Sequence, residues 1–138
     1  MAGEQNVVRV SAAAIIEDEK GRILMGKRNV FPKGMWVLPG GGINFLETSD
    51  NAVVREIKEE TGLEISSPKF LAAYELIVPE NKAHRIIFYY KVKAKSTSKL
   101  DPSDDLEELK WLKPDEITNL KNLGQSTIPV LKIAGYLK

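Results

Sequence analysis

The sequence predicts an α/β fold in which a mixed β-sheet lies between helices. Segments rich in β-branched and aromatic residues alternate with turn residues over most of the chain, and one strongly helical segment lies near its centre. With 138 residues, the chain is long enough to bury about two-thirds of its unfolded surface in one core. Neither a repeat nor a long linker divides it, so we expect one domain over residues 1–138.

Several segments have the composition of β-strands. They cover residues 7–17, 22–28, 36–38, 68–78, 84–94 and 107–112. The first is continuously apolar at its centre, which is typical of a buried strand. A turn pattern, Pro-Glu-Asn-Lys, separates the segments at 68–78 and 84–94, so we expect those two strands to pair.

The central helix is predicted over residues 48–62. The run Thr48-Ser49-Asp50 supplies favourable N-cap residues, and Gly62 is a favourable C-terminal stop. At about 100° per residue, the core-facing side consists of Val53, Val54, Ile57 and Thr61.

Two further helices are predicted near the C-terminus, over residues 114–120 and 126–137. The second is amphipathic through Ile128, Leu131, Ile133 and Leu137.

Three glutamates gather on a side of the central helix that adjoins its core face. Glu56, Glu59 and Glu60 lie near the C-terminal end, where the helix dipole disfavours anions. Like charges at i,i+4 cost a helix a few tenths of a kcal/mol. The cluster therefore favours a bound cation, although an isolated acidic run is more simply interpreted as a solvated face.

A longer pattern contains these glutamates. The chain matches GX5EX7REUXEEXGU, in which U is a bulky apolar residue, at every specified position. The matching residues are Gly41, Glu47, Arg55, Glu56, Ile57, Glu59, Glu60, Gly62 and Leu63. Since each specified residue type has a frequency of about one in ten or less, a chance match is on the order of one in a billion. The chain thus resembles the Nudix hydrolases, whose motif this is.

The resemblance extends from about residue 7 to residue 137. The run 36–41, WVLPGG, is similar to the lead-in of many family members, and 109–117 is similar to the family's late strand and short helix. Two residues depart from the usual loop, since many members carry Glu where Asn44 stands and Gly where Leu46 stands. This leaves open the backbone path of the loop and any metal contact at position 44.

The resemblance implies an α/β/α Nudix sandwich and a metal site. By similarity, Glu56, Glu59 and Glu60 coordinate the metal, together with the backbone carbonyl of Gly40. Oxygen ligands without cysteine or histidine suit Mg²⁺, with Mn²⁺ as the alternative.

The family pattern also implies a pair between Arg55 and Glu47, which would hold the helix and the glycine loop in register. Glu56 is our candidate for the general base. Family members differ on this point, and some carry the base on another loop.

An acidic segment over 101–108 precedes Trp111. Many relatives carry a carboxylate six residues before this tryptophan, which here is Asp105. Asp105 is a candidate metal ligand or base, with Glu108 in reserve, and a solvated acidic turn is the alternative.

Candidate substrate contacts precede the glycine loop. Lys27, Arg28 and Lys33 are candidates for phosphate contacts, and Phe31 is a candidate for stacking on a base. The alternative for Phe31 is ordinary packing.

The overall composition indicates a small-molecule substrate and no nucleic-acid or membrane partner. A net charge of +1 provides no electrostatic argument for binding nucleic acid or a membrane. The absence of cysteine excludes disulfides and thiol nucleophiles. The N-terminus, MAGEQNVVRV, lacks a targeting pattern and no apolar run approaches 18 residues, so we expect a cytoplasmic protein, either monomer or homodimer.

These features predict Mg²⁺-dependent hydrolysis of a pyrophosphate bond in a nucleoside diphosphate linked to another moiety. The substrate is a nucleoside triphosphate, including oxidised forms, or a nucleotide sugar such as ADP-ribose. The alternative is a catalytically silent nucleotide sensor. A calcium-binding module is disfavoured because the acidic loop lacks the DxDxDG spacing of an EF-hand.

Overall fold

A computed structural model describes residues 6–138 of the protein. Residues 1–5, which belong to the expected domain 1–138 and to the N-terminal stretch without a targeting pattern, lie outside the described residues. The strands are β1 (Arg9–Glu17), β2 (Ile23–Arg28), β3 (Trp36–Val37), β4 (Gly40–Gly42), β5 (Lys69–Val78), β6 (Ala83–Lys93) and β7 (Leu106–Leu112). The helices are α1 (Ser49–Thr61), α2 (Pro114–Ile117) and α3 (Thr127–Ile133).

The sheet is mixed, and β1 is its central strand. β1 pairs parallel with β6, and β6 pairs antiparallel with β5, as the turn pattern predicted. On its other edge, β1 pairs antiparallel with β2 at Glu17 and with β4 over Ser11–Ala13. β2 continues the sheet through β3 and β7.

Side-chain alternation along β1 divides the core between the two faces of the sheet. Ala12, Ala14 and Ile16 pack with the buried side of α1. Ala13 and Ile15 pack on the opposite face, in a cluster that includes residues of α2 and α3. The result is the predicted layer order, with helices on both faces of a mixed sheet.

Several boundaries differ from the predicted ones. The sequence predicted that the glycines after the strand at 36–38 belong to a loop, but Gly40–Gly42 form β4, because extended glycines pair with β1 without needing side chains. α2 and α3 are shorter than predicted. Ile133 is 56% exposed, so its predicted place on the apolar side of the last helix is wrong. In the described part of the chain, no helix is long and apolar enough to cross a membrane.

Leu46 adopts a backbone conformation that suits glycine. Its φ is 69°, and its side chain is exposed. A bulky residue in the left-handed region is disfavoured by about 1–2 kcal/mol. This explains why many family members carry glycine at the equivalent position.

We therefore expect Leu46→Gly to stabilise the protein by about 1 kcal/mol or somewhat less, since glycine also adds entropy to the unfolded chain. Urea unfolding measures this change. Leu46→Ala is the matched control, because alanine shares the strain of leucine and should leave stability nearly unchanged. Destabilisation by glycine would contradict the strain at this position.

Candidate active site

Helix α1 places the motif glutamates beside the glycine strand. The side chain of Thr48 accepts a hydrogen bond from the Asn51 N–H at 3.4 Å and caps the N-terminus. Gly62 ends the helix with φ 80°, and its N–H donates to the carbonyl of Lys58. Ala52, Val53, Ile57 and Thr61 are buried, which fixes the rotation of α1 and directs the glutamates toward β4.

Glu60 is a buried carboxyl group at the junction of α1 and β4. It is 5% exposed, and its Oε1 accepts a hydrogen bond from the Gly40 N–H at 2.8 Å. Burial raises the pKa of Glu60 to about 8; the Gly40 hydrogen bond opposes this shift, and the charges of Glu56 and Asp105 add to it. A negative charge on Glu60 is therefore unfavourable unless a cation is bound nearby.

Glu56 lies one helical turn before Glu60 and packs against the glycine strand. Burial raises the pKa of Glu56, Arg55 opposes the shift, and the charges of Glu59 and Asp104 add to it. A Cβ built on Gly41 would overlap the carboxylate of Glu56. A side chain at position 41 would therefore force this carboxylate to move.

We expect Gly41→Ala to lower kcat by about tenfold to a hundredfold, because displacing a reacting group by about 1 Å has effects of this size. Gly42→Ala is a matched control, since a Cβ on Gly42 meets no atom of residues 6–138 within 4 Å. Steady-state kinetics of both variants test this. Equal activity in the two would show that the position of Glu56 does not matter.

Arg55 joins the helix to the loop that precedes it. Its Nε and Nη2 donate to the two carboxylate oxygens of Glu47 at 2.8 and 2.9 Å, and Nη2 also donates to the Gly42 carbonyl. Nη1 donates to Glu56 at 2.9 Å and to Glu59 at 3.1 Å. The hydrogen bond from Arg55 lowers the pKa of Glu47 to about 2.

The acidic loop packs on the C-terminal end of α1. The Asp101 N–H donates to the carbonyl of Thr61, and the Ser103 N–H donates to that of Glu60. This places Asp105 close enough to Glu60 to raise its pKa. Asp104, which the sequence did not single out, acts on Glu56 in the same way.

The donor set fits a hard divalent cation, because it consists of crowded carboxylates and includes a buried one. The side chains do not converge fully, however. Within residues 6–138, no three acidic or histidine side chains surround one point at ligand spacing. Glu59 instead contacts Arg55. The ligand roles of Glu56, Glu59, Glu60, Asp105 and the Gly40 carbonyl therefore stay predictions.

A cavity of about 620 Å³ opens beside these carboxylates, a volume typical of small-molecule sites. Glu60, Asp105 and the glycine strand line one part of it. Of the predicted substrate residues, Arg28 and Phe31 line the cavity, whereas Lys33 is not among the lining residues. The Nη2 of Arg28 donates to the Phe31 carbonyl at 2.8 Å, and the Phe31 side chain is exposed.

The sequence missed other polar residues that line the cavity. Arg9 and Ser11 project from β1, and Arg85 projects from β6. The alternation Arg-Val-Ser at the start of a predicted strand indicated one polar side there, but the partner strand was unknown.

Comparison with known proteins identifies the family. The model of the NUDIX domain family matches residues 7–132. The chain belongs to the Nudix family. It is similar to phosphatase NudJ of Escherichia coli strain K12, with 27% identity over 115 residues that span 83% of this chain and 74% of the relative.

Solved Nudix structures agree. MutT NUDIX hydrolase from Burkholderia pseudomallei is 31% identical, with a TM-score of 0.79 over 91% of this chain and 97% of that one. A bifunctional NMN adenylyltransferase/ADP ribose pyrophosphatase from Francisella tularensis, complexed with AMP and a Mn ion, shares the fold at 23% identity. Its TM-score is 0.73 over 92% of this chain and 42% of that one.

The predicted family and fold are therefore confirmed. The protein is a Nudix-type hydrolase, in a family that generally uses divalent metal ions.

Proposed function

We propose that this Nudix hydrolase cleaves the pyrophosphate bond of a nucleoside diphosphate linked to another moiety, and that it requires Mg²⁺. The observation that supports this proposal most is Glu60, a buried carboxyl group at the wall of the cavity whose pKa is raised by burial and by the charges of Glu56 and Asp105. A buried carboxyl group in this setting is stabilised by a cation that also binds phosphate.

Glu56, Glu59 and Glu60 would hold the ion, with help from Asp105 and the carbonyl of Gly40. A bound divalent ion neutralises charge on phosphate oxygens and makes water more acidic. The contact between Glu59 and Arg55 would have to loosen for all three glutamates to take part.

Glu56 is the proposed general base. Its Oε1 accepts from Arg55, whereas its Oε2 accepts no hydrogen bond from the described residues. A water oxygen attacks phosphorus, the proton of this water moves to the carboxylate of Glu56, and the bond from phosphorus to the bridging oxygen breaks. Burial supports this role, because it raises the pKa of Glu56 and so makes the carboxylate a stronger base than an exposed glutamate.

Arg55 and Glu47 would position the base without contacting substrate. The bidentate pair ties the loop after β4 to the first turns of α1, and the same guanidinium holds Oε1 of Glu56. Arg28 and Phe31 remain the proposed substrate contacts within the cavity. Lys33 is exposed and does not line the cavity, so we propose no substrate contact for it.

A substrate panel tests the proposal. Canonical and oxidised nucleoside triphosphates, ADP-ribose, nucleotide sugars and dinucleoside polyphosphates are incubated with Mg²⁺, Mn²⁺ or EDTA, and phosphate or pyrophosphate release is measured. Metal-dependent turnover of one class is the expected result. Tight nucleotide binding without turnover of any compound would favour the silent sensor instead.

A further inference from the structure

Three arginines that form no ion pair within residues 6–138 line the part of the cavity formed by the starts of β1 and β6. Arg9 and Arg85 are direct partners in the parallel pairing of these strands, and both line the cavity. Arg28, at the end of β2, lines it as well. The charge of Arg28 acts on both Arg85 and Glu60, so Arg28 lies near the paired arginines and also near the acidic part of the cavity.

The arrangement is unfavourable for folding alone. Like charges on directly paired positions of neighbouring strands destabilise a sheet. Arg85 is partly buried, and its pKa is lowered by burial and then by the charges of Arg28 and Arg9. The ion pairs found within residues 6–138 involve none of these three arginines.

Their polar contacts leave donors available. Nη1 of Arg85 donates to the hydroxyl of Ser11 at a long 3.3 Å. The buried Nε of Arg28 lacks a hydrogen-bond partner among the described residues. Lys82 adds a further cation to the lining, while His84 is held by Glu75 at 2.8 Å. Guanidinium groups with unused donors match the geometry of a phosphate group.

The paired arginines lie several residues along β1 from the site of the glutamates. Ala13 on β1 pairs with Gly40, whose N–H holds Glu60. Between position 13 and Arg9, β1 extends by about 13 Å at about 3.3 Å per residue. A diphosphate is shorter than this backbone separation, which places the backbone of the paired arginines beside a part of the cavity away from the glutamates.

We propose that Arg9, Arg28 and Arg85 form a second anion site, which binds a phosphate group of the substrate that is not part of the scissile diphosphate. This inference rests on the proposed function for its catalytic consequence, since the enzyme would then prefer nucleotides that carry an additional phosphomonoester. The anion site itself does not depend on turnover.

Equilibrium binding tests the site without metal. AMP, adenosine 2′,5′-bisphosphate and adenosine 3′,5′-bisphosphate are titrated into the protein in EDTA by calorimetry. At least one bisphosphate is expected to bind about tenfold tighter than AMP, as for a hydrogen-bonded charge pair. Arg85→Gln and Arg9→Gln should abolish this difference and leave AMP binding within about twofold.

Lys95→Gln provides the matched control, because it removes one positive charge from an exposed position that does not line the cavity. Thermal unfolding reports whether each variant folds, and Tm of Arg85→Gln should not fall, since the change relieves repulsion. Should Arg85→Gln fail to fold, the exposed Arg9→Gln gives the same comparison. Bisphosphates that bind no tighter than AMP, or an equal loss in the control, would overturn the proposal.

Kinetics connect the site to the reaction. ADP-ribose and its 2′-phosphate share the same diphosphate, and we expect the second to have a lower KM at similar kcat in the wild type but not in Arg85→Gln. Tighter bisphosphate binding without turnover of any substrate would keep the anion site and refute the proposed hydrolysis. Turnover without any preference for the additional phosphate would support the proposed hydrolysis and refute the anion site.

Discussion

Glu60→Gln is expected to lower Mg²⁺-dependent turnover by about two to four orders of magnitude while the protein stays folded. Glutamine keeps the side-chain oxygen that accepts the Gly40 N–H but loses the negative charge. Because Glu60 is buried, no water or neighbouring side chain readily replaces that charge at the cavity wall. Substrate hydrolysis at saturating Mg²⁺ measures the effect.

Two further variants test the other glutamates of the motif. Glu56→Gln should cause a loss of comparable size through the base, and Glu59→Gln tests the glutamate that contacts Arg55. Glu64→Gln is the matched control, since Glu64 follows the helix, is exposed and pairs only with Lys58 among the described residues. Unchanged turnover in all three motif variants would refute the proposed metal site.

The stability of the metal-free protein is expected to fall as pH rises from about 5 to 8. The folded protein keeps the Glu60 proton up to a pKa of about 8, whereas the unfolded chain releases it near 4.5. The folded state therefore binds more protons across this window, and the free energy of unfolding decreases with pH. At 1.36 kcal/mol per pKa unit, the change is on the order of a few kcal/mol.

Glu56 adds to this slope, because its pKa is also raised. Glu47 does not, since its lowered pKa of about 2 gives stability that is lost only when the pH falls below about 4.5. Urea unfolding at several pH values in EDTA measures the slope. Glu60→Gln should flatten it, and Mg²⁺ should raise stability most at pH 8. A metal-free wild type that is equally stable at pH 5 and 8 would contradict the raised pKa of Glu60.

The parts of the fold with local determinants were predictable from the sequence. α1 begins and ends within one residue of its predicted limits, because its cap residues and its apolar side lie in one short segment. The pairing of β5 with β6 followed from the turn between them. β4 was missed because Gly40–Gly42 carries no side-chain pattern, and its pairing with β1 is decided by backbone contact.

The candidate site was only partly predictable for the same reason. The motif gave Glu56, Glu60 and the Arg55–Glu47 pair, which lie together in the structure. It gave no information on Arg9 and Arg85, because these residues become neighbours only through the parallel pairing of strands that are distant in sequence. Lys33 was predicted as a phosphate contact, but it is not among the residues that line the cavity.

The acidic loop cannot be replaced by a loop from another protein without affecting the C-terminal end of α1. Backbone N–H groups of Asp101 and Ser103 satisfy the carbonyls of Thr61 and Glu60, and the Ser103 hydroxyl donates to that of Glu59. A graft of a foreign loop without matching donors would leave carbonyl groups at the helix end without these partners. For protein engineering, the transplantable unit is thus the helix together with its distant loop, although a segment that contains β5 and β6 separates them along the chain.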